Sequence, residues 1–407
     1  MDAINSGDTA WMLVATALVL VMTPALAFFY GGMVRKKNAL STLNLSFVMM
    51  GLVSIEWILV GFSLAFAPSG SGLIGSLRYL GLSGVGDAPN PDYAATIPFM
   101  LFMAYQMMFA IITPALITGS FVERIKFKTF LIFTLLWVLL IYNPVAHWVW
   151  GVGGFLRTMG ALDFAGGTVV HITAGFSALA IALAIGPRRW FGRAPMEPHN
   201  IPYTMLGAGL LWMGWFGFNG GSALAANGLA VTALVNTNTA AAACGLVWMF
   251  LTWAEKKPSV LGFATGAVVG LVAITPAAGF VTPLASIIIG AVAAPISIFA
   301  MRLRIKRGLD ESLDVFACHG MGGLWGALAT GLFATTTVNA AGANGLFYGN
   351  PGQFVIQAVA VVAVVVFSFA ITFILAKVLD STLGLRVAPN AEEVGLDISE
   401  HGEQAYA

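Results

Sequence analysis

Two histidines stand out in a chain with few other groups able to take a proton. His171 lies in "GGTVVHITAGFSALA" and His319 in "VFACHGMGGLW", and each is followed four residues later by a glycine, Gly175 and Gly323. Residues four apart share a helix face, and a small residue on that face lets a second helix come close. Two imidazoles brought together this way can stay neutral at pH 7, share one hydrogen bond, and accept and pass a proton without holding a standing charge. A single histidine in an apolar helix is as well explained by an interhelical hydrogen bond. Two at corresponding positions favour a path for ions or protons.

A second group of residues could hold a cation. Trp150 lies in "HWVWGVGG", Phe109 in "YQMMFAIITP", and Phe218 and Ser222, four apart on one face, in "GWFGFNGGS". One aromatic near a membrane surface is an anchor; several together with a hydroxyl would bind a small cation by cation–π attraction. Asp163 opens the stretch "DFAGGTVVH". It reads first as a helix N-cap for free backbone N–H groups, with direct contact to a cation as the lesser reading. Glu56, in "SIEWILVG", reads as a hydrogen bond at a helix or subunit contact.

The elements that must position these side chains follow from composition. Of 407 residues, 58% are hydrophobic and 9% charged, whereas a soluble domain is about 25% charged. The class is an all-α polytopic membrane protein, and a net charge of +1 gives no reason to expect nucleic acid. Cys244 and Cys318 sit in apolar runs and read as buried core residues. The acidic start (Asp2, Asp8, no Lys or Arg before position 35) is unlike a signal peptide, so the first apolar run should remain as a span. Eleven spans are expected, at roughly 10–32, 41–66, 97–119, 128–147, 166–186, 201–221, 231–253, 259–276, 280–300, 312–333 and 353–378. Of the nineteen Lys and Arg, all but Arg78 and Arg157 fall in the loops after spans 1, 3, 5, 7 and 9 or after the last span. Cytoplasmic loops collect these residues, so the topology is N-terminus out, C-terminus in.

Weak echoes recur five spans apart: "FYGG" (29–32) and "FNGG" (218–221), "ITPA" at 112–115 and at 274–277, and the two histidines with their glycines. An odd period inverts the second half, and inverted repeats place a site near the midplane between them. The expected organisation is a transmembrane domain over 1–379, with pseudo-repeats at about 1–195 and 200–335 and a further helix at 353–378, then a cytoplasmic tail over 380–407.

Together, "DFAGGTVVH", "WFGFNGGSA", "HWVWGVGG", "VFACHGMGG" and the tail "GLRVAPNAEEVGLDISEHGEQAY" resemble the ammonium transporter family (Amt/MEP/Rh), on its Amt branch, from the first span to the tail. The resemblance implies an eleven-helix protomer in the cell membrane, assembled as a homotrimer with one pore per subunit and needing no cofactor. It implies that Trp150, Phe109 and Ser222 form the outer ammonium site, that Phe109 and Phe218 stack as a gate, that His171 and His319 line the pore, and that Asp163 is a mainly structural residue near the outer site. Gly220 departs from the family pattern, where many relatives have alanine. The tail is similar to one that packs across neighbouring subunits, and a cytoplasmic PII signalling protein is the implied partner.

The mechanism expected from these readings turns on the cost of moving charge through an apolar lumen, which idealised transfer puts at tens of kcal/mol. Ammonium can shed its charge: NH4+ would bind at the mouth, lose a proton on desolvation, and cross as NH3, with the proton left outside or relayed by the histidines. Methylammonium is the expected analogue. Other readings are a haem-binding redox subunit using the two histidines as axial ligands, an ammonium sensor, and a neutral-gas channel like the Rh branch.

Overall fold

The computed structural model describes residues 4–406, so Asp2 lies outside the described residues. Eleven long helices follow one another: α1 (Ser6–Met33), α2 (Lys36–Phe66), α3 (Phe99–Thr118), α4 (127–150), α5 (Gly167–Ile185), α6 (Ile201–Gly220), α7 (Gly228–Glu255), α8 (Val260–Ile274), α9 (Pro283–Lys306), α10 (316–333) and α11 (Pro351–Thr382). Two short helices, α12 (Pro389–Val394) and α13 (Leu396–His401), form the tail. Eight of the long helices are apolar and long enough to cross a membrane. The others are α8, apolar but only 15 residues, and α6 and α10, whose many glycines dilute their hydropathy.

Polar residues start the helices where the apolar runs begin. Asn5 accepts from Asp8 N–H, Asn200 from Tyr203 N–H, Asn227 from Leu229 and Ala230 N–H, Ser259 from Gly262 N–H and Thr282 from Ala285 N–H, each satisfying backbone donors a helix start leaves free. Hydropathy underestimates where some helices end. α9 continues to Lys306, past the expected 300, because a helix persists through Arg302 and Arg304 once its side chains reach the aqueous boundary. α10 starts at 316 rather than 312, because Asp314 adopts a left-handed conformation (φ 58°) that no α-helix accommodates.

Small residues let the helices approach. Along α6, Gly207, Gly214 and Gly217 lie against Phe29, Met22 and Leu18 of α1 with no room for a side chain. Four helices contain a widened, π-type turn: Trp57–Gly61 in α2, Val138–Tyr142 in α4, Gly167–Ile172 in α5 and Phe316–Gly320 in α10. The last two contain His171 and His319. Leucine, isoleucine, valine and phenylalanine side chains, such as Leu59, Val231, Phe299 and Val362, stay exposed around the outside, a belt suited to lipid.

The loops after α1, α3, α5 and α9 converge with the tail in a charged network at one end. Arg188 bridges Glu123 at 2.7 Å and Asp310 at 2.8 Å, and Arg35 reaches Glu123 at 2.9 Å. Arg386 holds Glu392 at 2.7 Å. The tail lies across its own chain. Asp397 accepts from Leu40 and Ser41 N–H at the start of α2, Glu400 accepts from Phe127 N–H at the start of α4, and Tyr406 meets His199.

Candidate functional site

At the end opposite the charged network, a cavity of about 220 Å³ is lined by Phe66, Phe109, Trp150, Asp163, Phe164 and Ser222, among others. Its walls are set by the elements beneath them. Trp150 closes α4, and its indole N–H donates to the Asp163 carbonyl at 3.0 Å, which fixes the ring's face. The Asp163 carboxylate accepts from the backbone N–H groups of Gly166, Gly167, Thr168 and Val169 at 2.6–3.2 Å and from the Thr168 hydroxyl. It therefore caps the widened first turn of α5, and its oxygens are occupied by those donors. Ser222 donates to the Phe218 carbonyl at 2.8 Å and lies 3.2 Å from the Tyr105 hydroxyl.

The floor of the cavity is aromatic. Phe109 and Phe218 lie with ring centroids 4.2 Å apart at 33°, and Trp150 meets Phe109 edge-on at 6.0 Å. Both phenylalanines are 1% exposed, so the pair closes the route. Below them the space is lined by apolar side chains of α1, α3, α6 and α8 and by the two histidines, with a free volume of only about 10 Å³. That is near the minimum for one water.

His171 and His319 face each other there, Nδ1 to Nδ1 at 3.2 Å, with rings 5.3 Å apart at 27°. Two facing nitrogens share a hydrogen bond only if one carries a proton and the other does not. The glycines explain the approach. A side chain on Gly175 would overlap the Gly320 backbone, and one on Gly323 would come within 2.9 Å of His171 Cβ. Each histidine helix thus crosses the other at the glycine that follows its own imidazole by one turn in the sequence. With 3.2 Å between the ring nitrogens, no porphyrin fits between them.

The structure brings all seven residues singled out in the sequence, Trp150, Phe109, Ser222, Phe218, Asp163, His171 and His319, into one column. It adds three that sequence reasoning missed. Tyr105 orders Ser222 and donates to the Gly217 and Phe218 carbonyls at 2.9 and 2.7 Å. Trp215 lies against the His171 ring at 5.4 Å. Gln106 lines the mouth cavity, and its carboxamide oxygen has no partner among the described residues. A usable signal existed: Tyr105 and Gln106 are four and three residues before Phe109, on its helix face. Glu56 lies apart from the column, against Asn143 of α4.

Fold and column define a polytopic helical protein with an aromatic-walled cavity at one end and a closed, nearly filled interior beneath it. A model of the Ammonium Transporter Family matches residues 10–406. The chain is 52% identical to the ammonium transporter of Bacillus subtilis, over 98% of each chain, and 50% identical to ammonium transporter Amt1 of Archaeoglobus fulgidus, over 99% of this chain and 100% of that one. The crystal structure of Mep2 from Candida albicans superposes with a TM-score of 0.90 at 38% identity, covering 96% of this chain and 89% of that one. A structure described as a sensor Amt protein superposes at 0.89 with 30% identity, over 97% and 98%. The chain belongs to the Ammonium Transporter Family. It is a membrane transporter of ammonium, not an enzyme.

Proposed function

We propose that this protein recruits NH4+ at the mouth formed by Trp150, Phe109 and Ser222, strips a proton from it, and passes NH3 through the closed lumen beneath Phe218, with His171 and His319 as the proton-accepting stripe. The observation that carries the reading is the pair of imidazoles in contact at 3.2 Å under a closed aromatic gate. Cation–π attraction at the mouth is worth about 0.5–2 kcal/mol and does not by itself separate NH4+ from other monovalent ions. Selectivity arises below, where an ion that cannot shed its charge meets a lumen with no ionised group to compensate it. Asp163 acts indirectly, by holding α5 and Trp150 in place.

Residues 1–379 form the transmembrane unit on this reading, with halves at about 1–195 and 200–335, and 380–407 lie in the cytoplasm. The charged network at the tail's end supports a cytoplasmic face there, since Lys and Arg collect on that side of a membrane. The exposed apolar belt is compatible with a trimer, and the polar tail is a surface a cytoplasmic PII protein could occupy.

The test is current from the purified protein in a supported bilayer after an ammonium pulse. A transient current that His171→Ala abolishes supports a relayed proton. Ammonia flux without current, in wild type and variant alike, would show that the proton stays behind.

A further inference from the structure

One ionisable group inside the membrane region takes no part in the column. Glu56, on α2, is 5% exposed, and its partner Asn143, on α4, is fully buried. Asn143 Nδ2 donates to Glu56 Oε1 at 2.9 Å. The other two atoms of the pair, Glu56 Oε2 and Asn143 Oδ1, have no hydrogen-bond partner among the described residues. Both are acceptors when the carboxyl is ionised, so neither can satisfy the other in that state.

The surroundings are arranged for this side chain. The carboxyl sits over Gly61, where a Cβ would lie 2.5 Å from Oε2 and 2.8 Å from Oε1. The widened turn of α2 begins at the residue after Glu56, and that of α4 ends at the residue before Asn143. Among the described residues no Lys, Arg or His forms an ion pair with Glu56; another titratable group beside it is Tyr142 of α4. A carboxylate held in a membrane by one neutral N–H alone is poorly compensated.

We propose that Glu56 and Asn143 form an intramembrane proton-binding site outside the pore, in which a protonated carboxyl and a carboxamide pair through both edges. Asn143 N–H donates to Oε1, and the proton on Oε2 donates to Asn143 Oδ1. One bound proton satisfies both orphaned atoms and leaves α2 and α4 clasped by a neutral pair. The proton comes from water during folding and no other bond changes. A carboxamide in place of the carboxyl supplies an N–H where the O–H stood, so Glu56→Gln mimics the occupied site.

The experiment is infrared difference spectroscopy of the full-length protein at pH 7, wild type against Glu56→Gln, with melting temperatures of Glu56→Gln and Asn143→Leu. The expected result is a protonated-carboxyl carbonyl band in wild type that disappears in Glu56→Gln. The melting temperature of Glu56→Gln should stay near wild type, and that of Asn143→Leu should fall by several degrees. A Glu56 signal seen only as carboxylate would overturn the proposal, as would Glu56→Gln melting as low as Asn143→Leu. If neither variant folds, the band in a Glu311→Gln background decides, because the raised Glu311 carboxyl also carries a proton at pH 7: present, the site stands; absent, it falls. None of these readouts uses transport, so they stand apart from the pore mechanism.

Discussion

The lumen and the charged end solve the same problem in opposite ways. In the lumen the polar groups are two imidazoles, bonded to each other and packed among apolar side chains. At the charged end, Glu123, Arg188 and Asp310 are just as buried, yet each charge meets an opposite one within 2.9 Å. Burial alone therefore does not decide whether a charge survives; the distance to its partner does. Within the charged end the same rule separates two carboxyls. Burial pushes Glu123 up, but Arg188 and Arg35 outweigh it and hold the carboxyl below its ordinary range. Glu311 is also pushed up by burial, Arg304 stands off at 3.8 Å, and its pKa rises to about 8.

The most costly substitution is expected where buried charges meet. Glu123→Gln leaves Arg35 without a carboxylate and Arg188 with Asp310 alone, and should cost up to about 3–5 kcal/mol, the usual penalty for half of a buried ion pair, read as a lower melting temperature. Truncating an imidazole is smaller in energy but larger in function. His171→Ala strands His319, at about 1–3 kcal/mol, and should abolish ammonium-evoked current while letting K+ leak through a wetter lumen. A variant that is destabilised but carries wild-type current would sink the relay. At the mouth, Trp150→Leu removes a cation–π wall worth about 0.5–2 kcal/mol and should shift the methylammonium concentration dependence with the fold intact. An unchanged dependence would remove Trp150 from the binding wall.

Two finer tests concern the charged end. Because Glu123 and Asp310 titrate below their unfolded values, the stability they contribute is present above pH ~4 and is lost on acidification through their folded pKa. Glu311 runs the other way. Its raised pKa means stability present below pH ~4 is lost as pH rises through about 8, so Glu311→Gln should melt higher relative to wild type at pH 9 than at pH 4. The smallest effect is expected from Asp397→Asn, about 0.3–1 kcal/mol at a helix start. Faster hydrogen exchange at the Leu40 and Ser41 amides is the measurement.

Much of this was legible in the sequence. Runs of apolar residues with Lys and Arg in alternate loops located the helices, and the shared histidine–glycine spacing pointed at a close crossing because a four-residue interval is fixed by helix geometry. Other features depend on contacts no spacing encodes. Tyr105 becomes part of the mouth only because α6 brings Ser222 against it. The widened turns are an extra residue's worth of slack in the hydrogen-bond ladder and leave no mark on hydropathy. Glu56 read as a hydrogen bond at a helix or subunit contact, and it makes one with Asn143, but no spacing could name a partner 87 residues away; the tail's hold on the loops was hidden for the same reason.

The bond from Asp397 to the start of α2 spans 357 residues, and that number sets an order of events during synthesis. At ~5–20 residues per second, α2 waits some tens of seconds between leaving the ribosome and receiving its cap. A chain cut short between residues 382 and 397 leaves α2 and α4 with bare amide ends, although every long helix is in place. The tail is therefore a seal added long after the helices it closes, and a nonsense mutation in it is expected to register as a folding lesion far upstream.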